Sequence, residues 1–235
     1  MPMPAFSNAP SSPASPIAFS EAQRAFMTRV YGWMFVGLSA TAFTAFAAAS
    51  SRAAMQFVAS SYLVLILVEL GLVLALSFLA QRLSPAVAGL MFLTYAVVNG
   101  LTLSGIFFIY RLGTITNAFA VTAAVFGAMT LYATVTRKDL SGWGAFLFIG
   151  LIGVLVAGVV NLFVMSDMLG FVVSCACVVV FAGLTAYDTQ KLRNYFSAAY
   201  AGGGTGSLAI VGALMLYLDF INLFLAILRL FGRRD

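Results

Sequence analysis

The chain has 235 residues, 63% of them hydrophobic and 8% charged, with a formal net charge of +5. A soluble domain carries about 25% charged residues, so this composition cannot cover a water-facing surface, and a soluble enzyme is excluded. There is no histidine, which also excludes His-based zinc sites, haem ligation through His and Ser-His-Asp triads.

Residues 1–20 hold five of the six prolines, with Ser and Ala between them and no charge. Such a stretch cannot bury enough surface to order itself, so a disordered tail is expected over 1–23. It is not a secretory signal, because no basic residue precedes an apolar run. Glu21 to Arg29 forms a polar lead-in, suited to a helix at the interface. From Tyr31 the hydrophobic runs follow closely, and a crossing helix needs about 20 apolar residues. Spans are predicted at 31–50, 61–80, 87–109, 114–135, 143–165, 170–190 and 207–230. They are apolar on all faces, as lipid-embedded helices are. The expectation is an all-α membrane protein, a seven-transmembrane-helix bundle over residues 24–235.

Gly100 with Ser104 and Gly153 with Ala157 are small pairs at four-residue spacing, which lets helices approach closely. Cys175 and Cys177 point to different helix faces and read as small core residues. Gly202 to Gly206 lacks the lysine and the strand of a phosphate loop and reads as a linker. Trp33 and Trp143 are placed as interfacial anchors.

The basic residues set the orientation. With a cytoplasmic N-terminus, Arg24, Arg29, Arg82, Arg137, Lys138, Lys191 and Arg193 fall inside, and only Arg52 and Arg111 fall outside before the last span. That satisfies the positive-inside tendency. Arg229, Arg233 and Arg234 would then lie outside, unless segment 207–230 turns back as a re-entrant hairpin. The bases sit at span ends rather than in one block, so nucleic acid is not an expected partner.

Three acidic residues lie in apolar runs: Glu69, Asp188 and Asp219. A carboxylate at mid-bilayer costs roughly 2.5–3.5 kcal/mol, so such residues tend to be enclosed in the bundle and functional. Asp219 is the sharpest case, and Gly212, Asn222 and Ala226 give its helix a small, polar face. Asp188 precedes Lys191 and Arg193, and a plain helix-end carboxylate paired to those bases is the alternative. For Glu69 the alternative is a protonated acid bonded across helices.

Gly183-Leu-Thr-Ala-Tyr-Asp-Thr-Gln-Lys-Leu192 and Leu216-Tyr-Leu-Asp-Phe-Ile-Asn-Leu-Phe-Leu225 resemble the signature segments of the Bax inhibitor-1 (transmembrane Bax-inhibitor-motif) family. Tyr31-Gly-Trp-Met34, Gly100-Leu-Thr-Leu-Ser104 and Phe126-Gly-Ala-Met129 resemble its bacterial branch. The resemblance implies that the last helix is central and the other six wrap it. It implies a pH-dependent calcium leak, with an aspartate pair on the sixth and seventh helices near the cytoplasmic mouth. On this chain the pair is Asp188 and Asp219. Arg82 takes, by position, the place of a latching base. Glu69 matches an acidic position of some members, and the glycine-rich loop before the last span is longer than the family pattern.

Two carboxylates about 4 Å apart repel by about 4 kcal/mol at an effective dielectric near 20, so a close pair tends to hold one shared proton. Asp219, the deeper of the two, is the expected holder. Gain or loss of that proton would bias a two-state bundle. Calcium prefers several oxygen ligands. Asp188 and Asp219 are weak ligand candidates, and Glu69 and Asn222 are candidates for the ion pathway. The expected function is a pH-sensitive calcium leak of the bacterial inner membrane, with Ca²⁺ as the permeant ion and no tightly bound cofactor. The alternatives are a regulatory partner of other membrane proteins, such as a membrane-protease modulator, and a proton-coupled transporter. No nucleophile–base pair or metal cluster is visible, so no enzyme is expected.

Overall fold

A computed structural model describes residues 16–79, 82–200 and 206–232. It is helical, with no strand among the described residues. The first two spans are α1 (Pro16–Ala49) and α2 (Arg52–Leu79). The third is α3 (Pro85–Leu103) followed by a single turn, α4 (Ile106–Ile109). Then come α5 (Leu112–Val135), α6 (Gly144–Val164), α7 (Asp167–Tyr200) and α8 (Gly206–Phe231). Seven spans are long and apolar enough to cross a membrane, and the protein is a multi-pass membrane protein.

Local chemistry explains several boundaries. Ser84 accepts a hydrogen bond from the Val87 N–H at the start of α3, and Pro85 at the first helical position needs no partner for an N–H it lacks. At the other end, the Ser104 hydroxyl donates back to the Leu101 carbonyl at 2.6 Å, closing α3 before the α4 turn. α2 begins nine residues earlier than expected, at Arg52, where the Ser51 side chain accepts the Ala54 N–H as an N-cap, and Ser60 is absorbed into the helix by donating to the Phe57 carbonyl.

The helical part starts at Pro16, so residues 16–23 of the expected tail belong to α1. The reason is aromatic packing onto α7, which itself runs ten residues beyond its expected end. The Phe19 ring lies 5.8 Å from that of Phe196 and 5.3 Å from that of Tyr200, and Phe26 lies 5.1 Å from Phe196. Residues 1–15, and the linker residues 202–205, lie outside the described residues.

α8 occupies the centre. Of its most apolar stretch 72% is buried, against 11–33% for the other spans, and it packs on α1, α3, α5 and α7. It is one unbroken helix of 26 residues, roughly 39 Å at 1.5 Å per residue, long enough to cross a core of about 30 Å. The hairpin alternative is therefore not what this segment forms. Large apolar side chains such as Phe43, Leu63, Phe78 and Phe163 point outward from the surrounding helices, as lipid contact requires.

Glycine matters where backbones meet. A Cβ on Gly100 would lie 2.6 Å from the Thr41 carbonyl oxygen, and one on Gly212 would lie 2.8 Å from Leu192 Cδ2. Gly153 meets nothing within 4 Å, so the small-residue spacing there marks no helix contact.

Candidate functional site

α7 and α8 are antiparallel neighbours joined at the Tyr200/Gly206 end. Asp188 lies 12 residues before the end of α7, and Asp219 lies 13 residues after the start of α8. At 1.5 Å per residue these offsets are roughly 18 and 20 Å, so both aspartates sit at one level of the helix pair. Asp219 is 4% exposed. Its Oδ2 is buried and has no hydrogen-bond partner. No hydrogen bond joins the two carboxylates among the described residues.

Lys191 is the cation of the site. Its Nζ stands 4.0 Å from Asp188 Oδ1, one turn along the same helix face. It also lies 5.4 Å from the Tyr187 ring centre and 5.7 Å from that of Tyr195, inside the range where an aromatic face attracts a cation. Ser141, Tyr187, Gln190, Lys191, Asn194 and Tyr195 surround a cavity of roughly 210 Å³ on this side.

The level of the pair relative to the bundle end is set by Gln190. Its side chain donates to the Lys138 carbonyl at 2.9 Å and accepts from the Leu140 N–H at 2.7 Å. The α5–α6 loop is thus clamped two residues, roughly 3 Å, from Asp188. The aspartates lie just inside that loop, although Asp219 is mid-helix in sequence; the unequal helix lengths make the difference. In the loop, hydrogen bonds from the Ser141 side chain and backbone hold the Asp139 carboxyl below the usual carboxylate range.

The structure does not bring Arg82 to the pair. It is exposed in the turn after α2 and makes no ion pair among the described residues. Pro85, three residues on, packs against Gly206, roughly 20 Å along α8 from Asp219. Asn222 is half-buried, and its amide donates to the Leu218 carbonyl of its own helix at 2.8 Å.

Glu69 belongs to a second polar cluster. Thr102 and Asn99 of α3 donate to its two oxygens at 2.6 and 3.2 Å. The Tyr217 hydroxyl of α8 donates to Asn99 Oδ1 at 2.9 Å, and Thr41 of α1 lies 2.6 Å from that hydroxyl. Four spans are tied by this chain, which matches the cross-helix bonding alternative for Glu69. Sequence reasoning passed over Asn99 and Tyr217; the available signal was an amide in an apolar run.

Among the described residues, no three acidic or thiol side chains converge. A cation at the pair would therefore find two carboxylates and a competing lysine, a site suited to brief occupancy.

The family model described as Inhibitor of apoptosis-promoting Bax1 matches residues 23–235. The inner membrane protein YbhL of Escherichia coli K12 is 48% identical over 215 residues, covering 89% of this chain and 92% of its own. A protein of Deinococcus radiodurans is 47% identical over 212 residues, covering 90% and 92%. One of Borreliella burgdorferi is 38% identical over 213 residues, covering 89% and 92%. The chain belongs to the Bax inhibitor family.

Proposed function

We propose that this Bax inhibitor family protein is a pH-sensitive calcium leak of the bacterial inner membrane, with Asp188 and Asp219 as its titrating pair. One observation carries the reading: a buried oxygen of Asp219 lacks a hydrogen-bond donor, at the level of Asp188 on the neighbouring helix. When the two carboxyls close to hydrogen-bond distance, a proton shared between them supplies the missing donor and ties α7 to the central helix. Its loss leaves two negative charges against the single Lys191 cation, and the repulsion favours separation of the two helices. The opened carboxylates are hard oxygen ligands that a passing Ca²⁺ can exchange for part of its water.

The inner-membrane assignment takes support from the name of the Escherichia coli relative. A cytoplasmic N-terminus takes support from Arg24, Arg29, Arg137, Lys138, Lys191 and Arg193, all towards the end of the bundle that carries it. The test is calcium flux into liposomes containing only this protein, measured as pH is varied across about 6 to 8. The parent is expected to show a pH-dependent leak and Asp219→Asn a pH-independent one. No flux from the parent, or an unchanged profile in the variant, refutes the reading.

A further inference from the structure

Three cations line one cavity at the end of the bundle that carries the N-terminus. The cavity, roughly 380 Å³, is bounded by Gln23 of α1, Arg137 and Lys138 of the α5–α6 loop, and Gln190, Arg193 and Asn194 of α7. Asp139 is on its rim, but its Oδ1 accepts the Ser141 N–H at 2.9 Å. Among the described residues the one ion pair is Asp188 with Lys191, so Arg137, Lys138 and Arg193 have no direct salt-bridge partner, and they outnumber the one carboxylate of the wall, Asp139.

The wall is built before any ligand arrives. Arg193 Nη1 donates to the Thr134 carbonyl at 3.1 Å and Nη2 to Gln23 Oε1 at 3.5 Å, which fixes the guanidinium and leaves its remaining N–H donors for a ligand. Gln190 fixes the loop backbone from beneath, through Lys138 and Leu140. Below the loop, Leu131 and Val135 of α5 and Phe146 of α6 turn outward. The cations therefore stand at the boundary between the loop and the lipid-facing surface of the spans, where an amphiphile with an anionic head is the available ligand.

We propose that this cavity binds the phosphate of an anionic phospholipid headgroup, with Arg137, Lys138 and Arg193 as the binding cations. A basic pocket between helices at a membrane boundary recognises such headgroups by charge, and arginine adds directed donors to phosphate oxygens. The assignment is independent of the calcium leak.

Native mass spectrometry of the purified protein tests it, with phosphatidylglycerol and phosphatidylcholine of identical acyl chains offered in equal amounts. The parent is expected to retain phosphatidylglycerol in preference. Arg137 and Lys138 are both exposed, so Arg137→Gln with Lys138→Gln spares the packing, and the double variant should bind phosphatidylglycerol about 30-fold more weakly. Equal retention of the two lipids by the parent overturns the proposal, whatever the variant does. So does undiminished phosphatidylglycerol binding by a variant with the parent's melting temperature. Inorganic phosphate is the third arm: if it saturates the site and displaces phosphatidylglycerol at similar concentration, the ligand is a free anion and the lipid assignment fails.

Discussion

Replacing Tyr217 by Phe removes one oxygen from the centre of the bundle and nothing else. The ring is 0% exposed and packs edge-on against Phe92 and Tyr95, at 5.6 and 5.7 Å between ring centres. Those contacts survive the change. The Asn99 amide nitrogen donates to Glu69, so its oxygen is the group that receives the Tyr217 proton. Thr41 has one hydroxyl hydrogen and three acceptors within reach: Tyr217 at 2.6 Å, the Ala96 carbonyl at 2.8 Å and the Gly37 carbonyl at 3.0 Å. Without Tyr217 oxygen it turns to Ala96 and loses little. The net injury is one buried acceptor, Asn99 Oδ1, left without a donor. Such a group costs about 1–3 kcal/mol, and interhelical bonds in membranes measure nearer 0.6 kcal/mol with an upper end near 1.7. The expected loss is about 1–1.5 kcal/mol, read as the shift in reversible unfolding by SDS in mixed micelles. A double-mutant cycle with Thr41→Val should give a coupling below about 0.5 kcal/mol, because Thr41 has alternatives. A Tyr217→Phe protein as stable as the parent, or a coupling near the whole single-mutant effect, would refute this account of the network.

The aspartates should differ in how they fail. On the proposed leak, Asp219→Asn should abolish the pH response, whereas Asp188→Asn also deprives Lys191 of its partner and should be the leakier variant at neutral pH; equal leaks would contradict that division. Gly212→Ala should cost about 1–3 kcal/mol by overpacking, since its new Cβ meets Leu192, which is fully buried. Gly153→Ala, which meets nothing, should be neutral or stabilise by up to about 1 kcal/mol, both read in the same unfolding assay. The Asp139 carboxyl is more acidic folded than unfolded, so its bonds to Ser141 stabilise fully above the unfolded value, about pH 4, and are lost as pH falls through the lower folded value. Asp139→Asn should therefore reduce the steepness of destabilisation below about pH 4 and leave the slope between pH 5 and 8 unchanged. A changed slope in the neutral range would place the titration elsewhere.

Span number and the membrane itself were legible without coordinates, because the cost of placing polar groups in hydrocarbon accumulates along a segment and needs no knowledge of its neighbours. Asp219 was legible for the same reason. So was the Lys191 partnership of Asp188, which follows from three positions on one helix. The order of the family's motifs carried the central placement of the last helix. Hydropathy also misplaced some ends: α1 reaches back to Pro16 because Phe19 finds Phe196 and Tyr200, some 180 positions later in the chain.

What the tertiary structure alone decided is rotation and depth. An apolar helix tells nothing of which face meets which neighbour, so Glu69 and Asn99 stand out in the sequence as polar residues in apolar runs, but the path that joins them through Tyr217 to Thr41 does not. Depth is decided by how helices of unequal length are staggered. Gln190, by gripping the backbone of Lys138 and Leu140, places the aspartates just inside a loop that the mid-helix position of Asp219 did not foretell. The same stagger leaves Arg82 distant and gathers Arg137, Lys138 and Arg193 around one cavity. These are sums over pairs of helices, and a single strand of sequence holds only the terms for each helix by itself.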